Sequence, residues 1–166
     1  MKHDPYAKIE KVVVNTGIGG LAVDPSFSEK ILPGIIEEFG AITGQRPSPR
    51  SAKKSISGFK LREGTVVGLM ATLRGRRMRQ FLEKLFSIVF PRVRDFRGIN
   101  LTAVDAQGNL SFGFKEHLVF PEVSPERSKT NFGIQVTVVP KAAKNREVAI
   151  ELYRSFKVPF KKNRLK

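Results

Sequence analysis

Four separate stretches of this chain alternate apolar and polar residues with a period of two, and this repetition restricts the fold more than any other feature. In KIEKVVVNT (8–16), Val12 and Val14 fall on one face and Lys11, Val13 and Asn15 on the other. In TVVGLMATLR (65–74), Val67, Leu69, Ala71 and Leu73 oppose Gly68, Met70, Thr72 and Arg74. The turn signal QGN (107–109) introduces LSFGFK, where Leu110, Phe112 and Phe114 oppose Ser111, Gly113 and Lys115. GIQVTVVP (133–140) sends Ile134, Val136 and Val138 inward and Gln135 and Thr137 outward. Each strand therefore offers one face to a core and one to something polar.

Helical periods fill the intervals. Residues 26–43 carry Phe27, Ile31, Ile35 and Phe39 at four-residue spacing, with Leu32 and Ile36 beside them. Pro33 removes a backbone hydrogen bond there, which predicts a kink or two short helices. Residues 76–90 place Met78, Phe81, Leu82, Leu85 and Val89 on one stripe, with Pro91 near the end. A last helix is predicted over about 143–156 on Val148, Ala149, Leu152 and Phe156. Interleaved helices with short links between strands predict one α+β domain over 1–166, built on an antiparallel-rich sheet. Three helical stripes cover one sheet face only. The other face would display Lys11, Asn15, Thr72, Arg74, Ser111, Lys115, Gln135 and Thr137.

Charge says what that face meets. The chain has 30 Lys and Arg against 15 Asp and Glu, a net +15 that opposes compaction and implies a polyanionic partner. Six basic residues and no acidic one lie between Arg46 and Arg62, among prolines, serines and a single Phe59. Lys and Arg neutralise phosphates, while Asn, Gln and Thr bond sugar hydroxyls and base edges, so RNA is the partner expected. A membrane partner is not expected: no segment sets a Lys-rich face against a clean apolar one, and no apolar run is long enough to cross a bilayer. The N-terminus MKHDPYAKIEK lacks the apolar region of a secretory signal, which predicts a cytosolic-type compartment.

Chemistry finds little support. Without cysteine there is no disulfide or thiolate metal site. His3 and His117 read as chance surface histidines, and Asp95 as an ion-pair partner of Arg94 and Arg97. The turn Gly17 to Ala22 matches G-x-G-x-x-A, but Asp24-Pro25 follows where a dinucleotide site needs a helix, so a tight packing turn is expected. In SFGFK, Phe112 and Phe114 share a face with Leu110, which predicts core packing rather than exposed stacking aromatics. No nucleophile, base and orienting group stand together. Two other readings stay open on these residues: a charge-only nucleic-acid or chaperone-like binder, and a small enzyme holding phosphate at the glycine turn.

The motifs IEKVVVNTGIG, AITGQRPS, AKKSISGFKLREG, TLRGRRMRQFLEKL, FPRVRDFRG and GNLSFGFKEHLVFPE, in that order from about Ile9 to Phe160, resemble the bacterial-type large-subunit ribosomal protein "L five" family. The resemblance implies a five-stranded, mostly antiparallel sheet with helices on its convex face and an open face that holds 5S rRNA. It implies a non-enzymatic constituent of the large subunit in the central protuberance, without cofactor or metal, in cytoplasmic or organellar ribosomes. The family's rRNA-recognition residues carry over onto Lys11, Asn15, Gln45 and Thr72. Its basic loop, about 46–64 here, reaches the elbow of P-site tRNA, which makes Arg50, Lys53, Lys54, Lys60 and Arg62 phosphate contacts. Ser57 and Gly58 would let that loop bend, Phe59 would anchor it, and in the free protein it would be mobile. Residues 121–133 would bridge to a small-subunit head protein. The 23S-type rRNA and neighbouring central-protuberance proteins complete the implied partners. The chain departs from the pattern in four places: Ile9 opens the first strand where the family usually has a helix, the interval from Asn15 to Gln45 is longer, NFGIQV replaces G-M-D-I, and a basic tail occupies 161–166.

Overall fold

Three consecutive valines, Val12 to Val14, favour extended backbone and seed the central strand. In the computed structural model, which describes residues 5–141 and 145–161, strand β1 (Ile9–Gly17) buries Val12, Val14 and Thr16 and leaves Lys11, Val13 and Asn15 half-buried. Four further strands follow: β2 (Ser48–Ser51), β3 (Val66–Leu73), β4 (Leu110–Phe114) and β5 (Ile134–Pro140). Their order in the sheet is β2-β3-β1-β5-β4. The Ile18 N–H donates to the Val67 carbonyl at 2.9 Å, tying the end of β1 to the start of β3. The Lys141 N–H donates to the Lys8 carbonyl at 2.8 Å, tying the end of β5 to the start of β1. The result is the expected α+β fold on a five-stranded antiparallel sheet. Strand β2 has no alternation to read: all four residues are exposed, and Pro49 is tolerated because β2 is an edge.

The chain clusters into two compact units, and β1, β4 and β5 each contribute to both. The first comprises residues up to Val13, Arg74–Phe112 and those from Val136 onward. Here helix α2 (Gly75–Lys84) runs through one widened π turn, Leu85–Val89, into the single helical turn α3 (Phe90–Arg92). Met78, Phe81, Leu82, Leu85 and Val89 are all buried, as their spacing predicts. Phe90 joins them, with ring centroids 4.8 Å from Phe96 and 5.4 Å from Phe112. Burying each such side chain contributes about 1.5–3 kcal/mol. Of the three residues expected to pack together on β4, Leu110 and Phe114 are buried, while Phe112 is half-buried against Phe90.

Helix α4 (Arg146–Ser155) buries Ala149 and, at its end, Phe156 as expected, but Val148 is exposed and Leu152 only half-buried. Val148 is 51% exposed, and Ala149, Tyr153 and Phe156 are the buried residues. Tyr153 sets that arrangement: its hydroxyl donates to the carbonyls of Gly108 (2.7 Å) or Val138 (3.1 Å), so the largest buried ring of the helix must face inward. Burial pushes its phenol well above the usual tyrosine range. Residues 143 and 144, where the sequence starts this helix, lie outside the described residues. The predicted QGN turn is present, closed by Asp105, whose Oδ1 accepts the N–H groups of Gln107 (2.9 Å) and Asn109 (2.8 Å). Asp95 sits exposed at φ 53 and, among the described residues, makes no ion pair with Arg94 or Arg97, contrary to the sequence reading. Splayed side chains on an exposed turn gain too little from pairing to hold it.

The second unit comprises Val14–Leu73 and Gly113–Gln135. A π turn, Phe27–Ile31, leads into helix α1 (Leu32–Thr43), which packs on β3 and buries Ile35, Phe39 and Ile42. Pro33 follows directly on the π turn, in which the Leu32 N–H still reaches back to the Phe27 carbonyl, and its missing N–H cannot continue that ladder. The irregularity predicted at Pro33 is therefore taken up one turn earlier. Gly44 stops the helix at φ 66, its N–H donating to the Gly40 carbonyl at 2.8 Å.

His117 is fully buried, not a surface residue. Its ring stacks on Phe132 at 3.9 Å, and its Nδ1 accepts the Phe132 N–H at 3.4 Å, which leaves the ring proton on Nε2. Nε2 lies 2.9 Å from Ser128 Oγ and 3.0 Å from Glu38 Oε2. Partners from α1 and from the stretch holding Ser128 and Phe132 make the burial tolerable, and one sequence gives no sign of them. His3 lies outside the described residues.

Candidate nucleic-acid interface

Alternation on β1 and β3 sets Lys11, Asn15 and Thr72 opposite the buried side chains, each half-buried, while Arg74 just after β3 is exposed and Gly68 is buried. In the second unit, Asn15 lines a shallow concavity of about 310 Å³ with Gly17, Phe114, Gly133 and Gln135. Gly44 turns the chain out of α1 so that Gln45 reaches β3, where its Nε2 donates to the Thr72 carbonyl at 3.4 Å. Among the described residues nothing pairs with the Asn15 amide or the Thr72 hydroxyl. Both groups are part-exposed, so solvent can reach them.

Lys11 shares the strand face of Asn15 but belongs to the first unit, where Glu10 engages it. The Glu10 Oε1 lies 3.1 Å from Arg74 Nη1 and 3.6 Å from Lys11 Nζ. The Arg74 hydrogen bond, with Lys11 beside it, holds the Glu10 carboxyl below its usual range. Sequence reasoning passed over Glu10. The signal was present, since one carboxylate stands beside Lys11 at the start of a strand otherwise free of acid. In the same unit Ser111 and Thr137 of the polar row close on each other, hydroxyl to hydroxyl, at 3.0 Å.

The basic segment is not irregular. β2 pairs antiparallel with β3 in the register Ser48↔Met70 to Arg50↔Gly68, with a bulge before Ser51↔Val66. The ladder continues as an arm. The Ala52 N–H donates to the Thr65 carbonyl (2.8 Å) and the Gly64 N–H to the Ala52 carbonyl (2.9 Å). Ser55 Oγ accepts the Glu63 N–H at 2.9 Å, and Ile56 and Leu61 exchange both backbone bonds at 2.9 and 3.1 Å. Arg50, Lys53, Lys54, Lys60 and Arg62 are all exposed along it. Phe59, expected to anchor the arm, is instead 74% exposed at its tip. The tip turn closes on backbone bonds alone, so no aromatic anchor is required.

The glycine turn after β1 holds no helix start: a 3-10 turn, Leu21–Val23, follows it, and the Ile18 side chain is buried. It is a packing turn against β3, as the sequence suggests. Near residues 121–133, a cleft of about 650 Å³ is lined by Glu37, Glu38 and Glu122 opposite Lys30, Arg127 and Lys129. Ser128, His117 and Glu38 meet at its edge, but both oxygens approach the same ring nitrogen and Nδ1 is held by backbone. That arrangement cannot relay a proton from a nucleophile. Among the described residues no helix is long and apolar enough to cross a membrane, and no His, Asp and Glu cluster suits a metal ion.

Comparison with known proteins agrees with this architecture along nearly its whole length. The family model described as ribosomal protein L5 matches residues 6–62, and that described as the ribosomal L5P family C-terminus matches residues 66–160. The two matches meet inside the arm. The large ribosomal subunit protein uL5 of Macrococcus caseolyticus (strain JCSC5402) is 46% identical over 155 residues, covering 93% of this chain and 84% of that protein. The family is one of structural ribosomal constituents rather than enzymes. On its sequence motifs, its sheet and these matches, the chain belongs to the ribosomal protein L5 family.

Proposed function

We propose that this constituent of the large ribosomal subunit holds 5S rRNA on the polar sheet face and seats it in the central protuberance, with Lys11, Asn15, Gln45 and Thr72 as the recognising side chains. Lys11 supplies charge to a phosphate. Asn15, Gln45 and Thr72 supply directional hydrogen bonds that depend on the fold of the RNA. The observation that carries this reading is the pair of unpartnered polar groups, the Asn15 amide and the Thr72 hydroxyl, on a half-buried face of a chain with net charge +15.

The arm is the second contact. Arg50, Lys53, Lys54, Lys60 and Arg62 stand exposed on a hydrogen-bonded ribbon, which suits a shape-guided approach to the phosphates of P-site tRNA. The segment 121–133, with charges of both signs at its cleft, is the surface offered to a small-subunit head protein. The remaining basic surface serves 23S-type rRNA and neighbouring proteins of the central protuberance.

The test is binding to folded 5S rRNA against a length-matched unrelated RNA, at low and moderate salt, with Asn15→Ala and Thr72→Ala beside the wild type. Neither substitution changes charge. A 5S preference that both substitutions erase supports recognition by the sheet face. Equal binding of both RNAs, indifferent to the substitutions, would leave charge alone and sink the reading.

A further inference from the structure

Among the described residues Phe59 is the most exposed large apolar side chain, at 74%. Its position is shaped. Ile56 and Leu61 close the turn with two backbone bonds, Ser57–Phe59 forms a 3-10 turn, and Lys60 takes φ 51, a conformation that non-glycine residues adopt at a cost. Ile56 beside it is 46% exposed. The tip is thus a small apolar wedge on a hydrogen-bonded turn. Around it stand Lys53, Lys54, Lys60 and Arg62, all exposed, and the first carboxylate along the arm is Glu63.

Those two features together specify the occupant. An exposed aromatic ring gains by covering its face, and a rim of four cations favours a polyanion over an apolar protein pocket. A polyanion that also presents flat apolar surface is a nucleic acid with an accessible base. Duplex RNA buries its base faces in the stack, so only an unpaired or outward-turned base can receive the ring. We propose that Phe59 is a stacking wedge: the arm's cations hold phosphates while the ring lies against the face of an unpaired base at a corner of the bound RNA. This rests on the reading that the arm meets P-site tRNA, and adds that the contact reads base accessibility as well as charge.

The experiment uses large subunits reconstituted with wild-type protein, Phe59→Ala, Phe59→Leu, Phe59→Tyr, or Lys53→Ala/Lys54→Ala, with deacylated tRNA as the probe. P-site affinity is measured across a salt series, and base-directed chemical probing reports the reactivity of each unpaired tRNA base. Phe59→Ala and Phe59→Leu should each weaken binding on the order of tenfold and expose one base, with the salt slope unchanged, while Phe59→Tyr retains both properties. If the lysine pair weakens binding and Phe59→Ala does not, the wedge is wrong and the phosphate-holding arm stands. If Phe59→Leu behaves as wild type, the ring makes a merely apolar contact with a sugar or a protein, and stacking is overturned. If no substitution changes binding or base reactivity, the reading of the arm fails and the wedge with it.

Discussion

The Gln45 side chain reaches from the end of α1 to the Thr72 backbone, its Nε2 donating to the carbonyl at 3.4 Å. A bond that long is weak, so it serves to aim Gln45 at the end of β3 more than to stabilise the fold. It leaves the Thr72 hydroxyl without a partner among the described residues. Thr72→Val keeps the shape and removes only the hydroxyl. It should lower 5S rRNA affinity about three- to tenfold while changing unfolding stability by less than about 1 kcal/mol. Filter binding beside urea unfolding checks both. Equal 5S affinity for wild type and Thr72→Val would remove Thr72 from the interface.

Glu10 restrains two cations at once, Arg74 at 3.1 Å and Lys11 at 3.6 Å. Glu10→Gln should therefore tighten binding to any RNA and steepen its salt dependence by roughly one unit of slope, because a phosphate now competes with no carboxylate. The pH behaviour follows from the lowered carboxyl. A depressed folded value means the pairing is fully present above the value of a free glutamate and is lost as pH falls through the lower folded value. Carboxyl-detected NMR should place the Glu10 midpoint below that of a free glutamate and return it upward in Arg74→Ala. A Glu10 midpoint unmoved by Arg74→Ala would contradict the pairing.

His117 pins the 113–135 segment to α1 through Ser128 and Glu38. Its ring is fully buried and stacked on Phe132, so His117→Ala removes packing and leaves the Phe132 N–H without its acceptor. The cost should be about 2–4 kcal/mol. Ser128→Ala, which keeps the ring, should cost less than about 1.5 kcal/mol. Urea midpoints measured at constant m-value decide it. Comparable small losses for both would mean that the buried network contributes little.

Much of this molecule was legible because period-two alternation is a local signal. Val12, Val14, Leu69, Leu73, Ile134 and Val136 are buried where the pattern puts them, and Lys11, Asn15 and Thr72 opposite them are half-buried. Non-local determinants were not legible. The four residues of β2 carry no apolar signal, because an edge strand is fixed by its partner's backbone and not by its own side chains. The arm reads as a loose basic loop, yet its order comes from carbonyls and N–H groups that composition does not report. His117 lies inside because Phe132 and Ser128, the latter 11 residues away along the chain, converge on it with Glu38 from α1. Tyr153 joins Ala149 and Phe156 inside, and Val148 is left out, for the same reason. Gln45 sits in a turn that alternation says nothing about, and only the family motif placed it.

Gly98 is the tightest point of the first unit. It adopts φ 97, and a Cβ added there would lie 2.6 Å from the Lys161 nitrogen and 2.8 Å from the Phe160 carbonyl carbon. The close approach is what lets the C-terminal segment dock: the Ile99 N–H donates to the Pro159 carbonyl at 2.7 Å, and the Lys161 N–H returns to the Ile99 carbonyl at 2.8 Å. Because backbone supplies the obstructing atoms, no side-chain rotation can relieve the clash. Gly98→Ala combines a disfavoured φ with that overlap and should destabilise the protein by about 2–4 kcal/mol. The local consequence is separable from the global one. Amide exchange at Ile99 and Lys161 should accelerate under native conditions before the rest of the unit opens, since both amides belong to the displaced bridge. A Gly98→Ala protein with wild-type exchange at those two amides would show that the segment docks without the close approach, and that Phe156 and Val158, buried nearby in sequence, hold it alone.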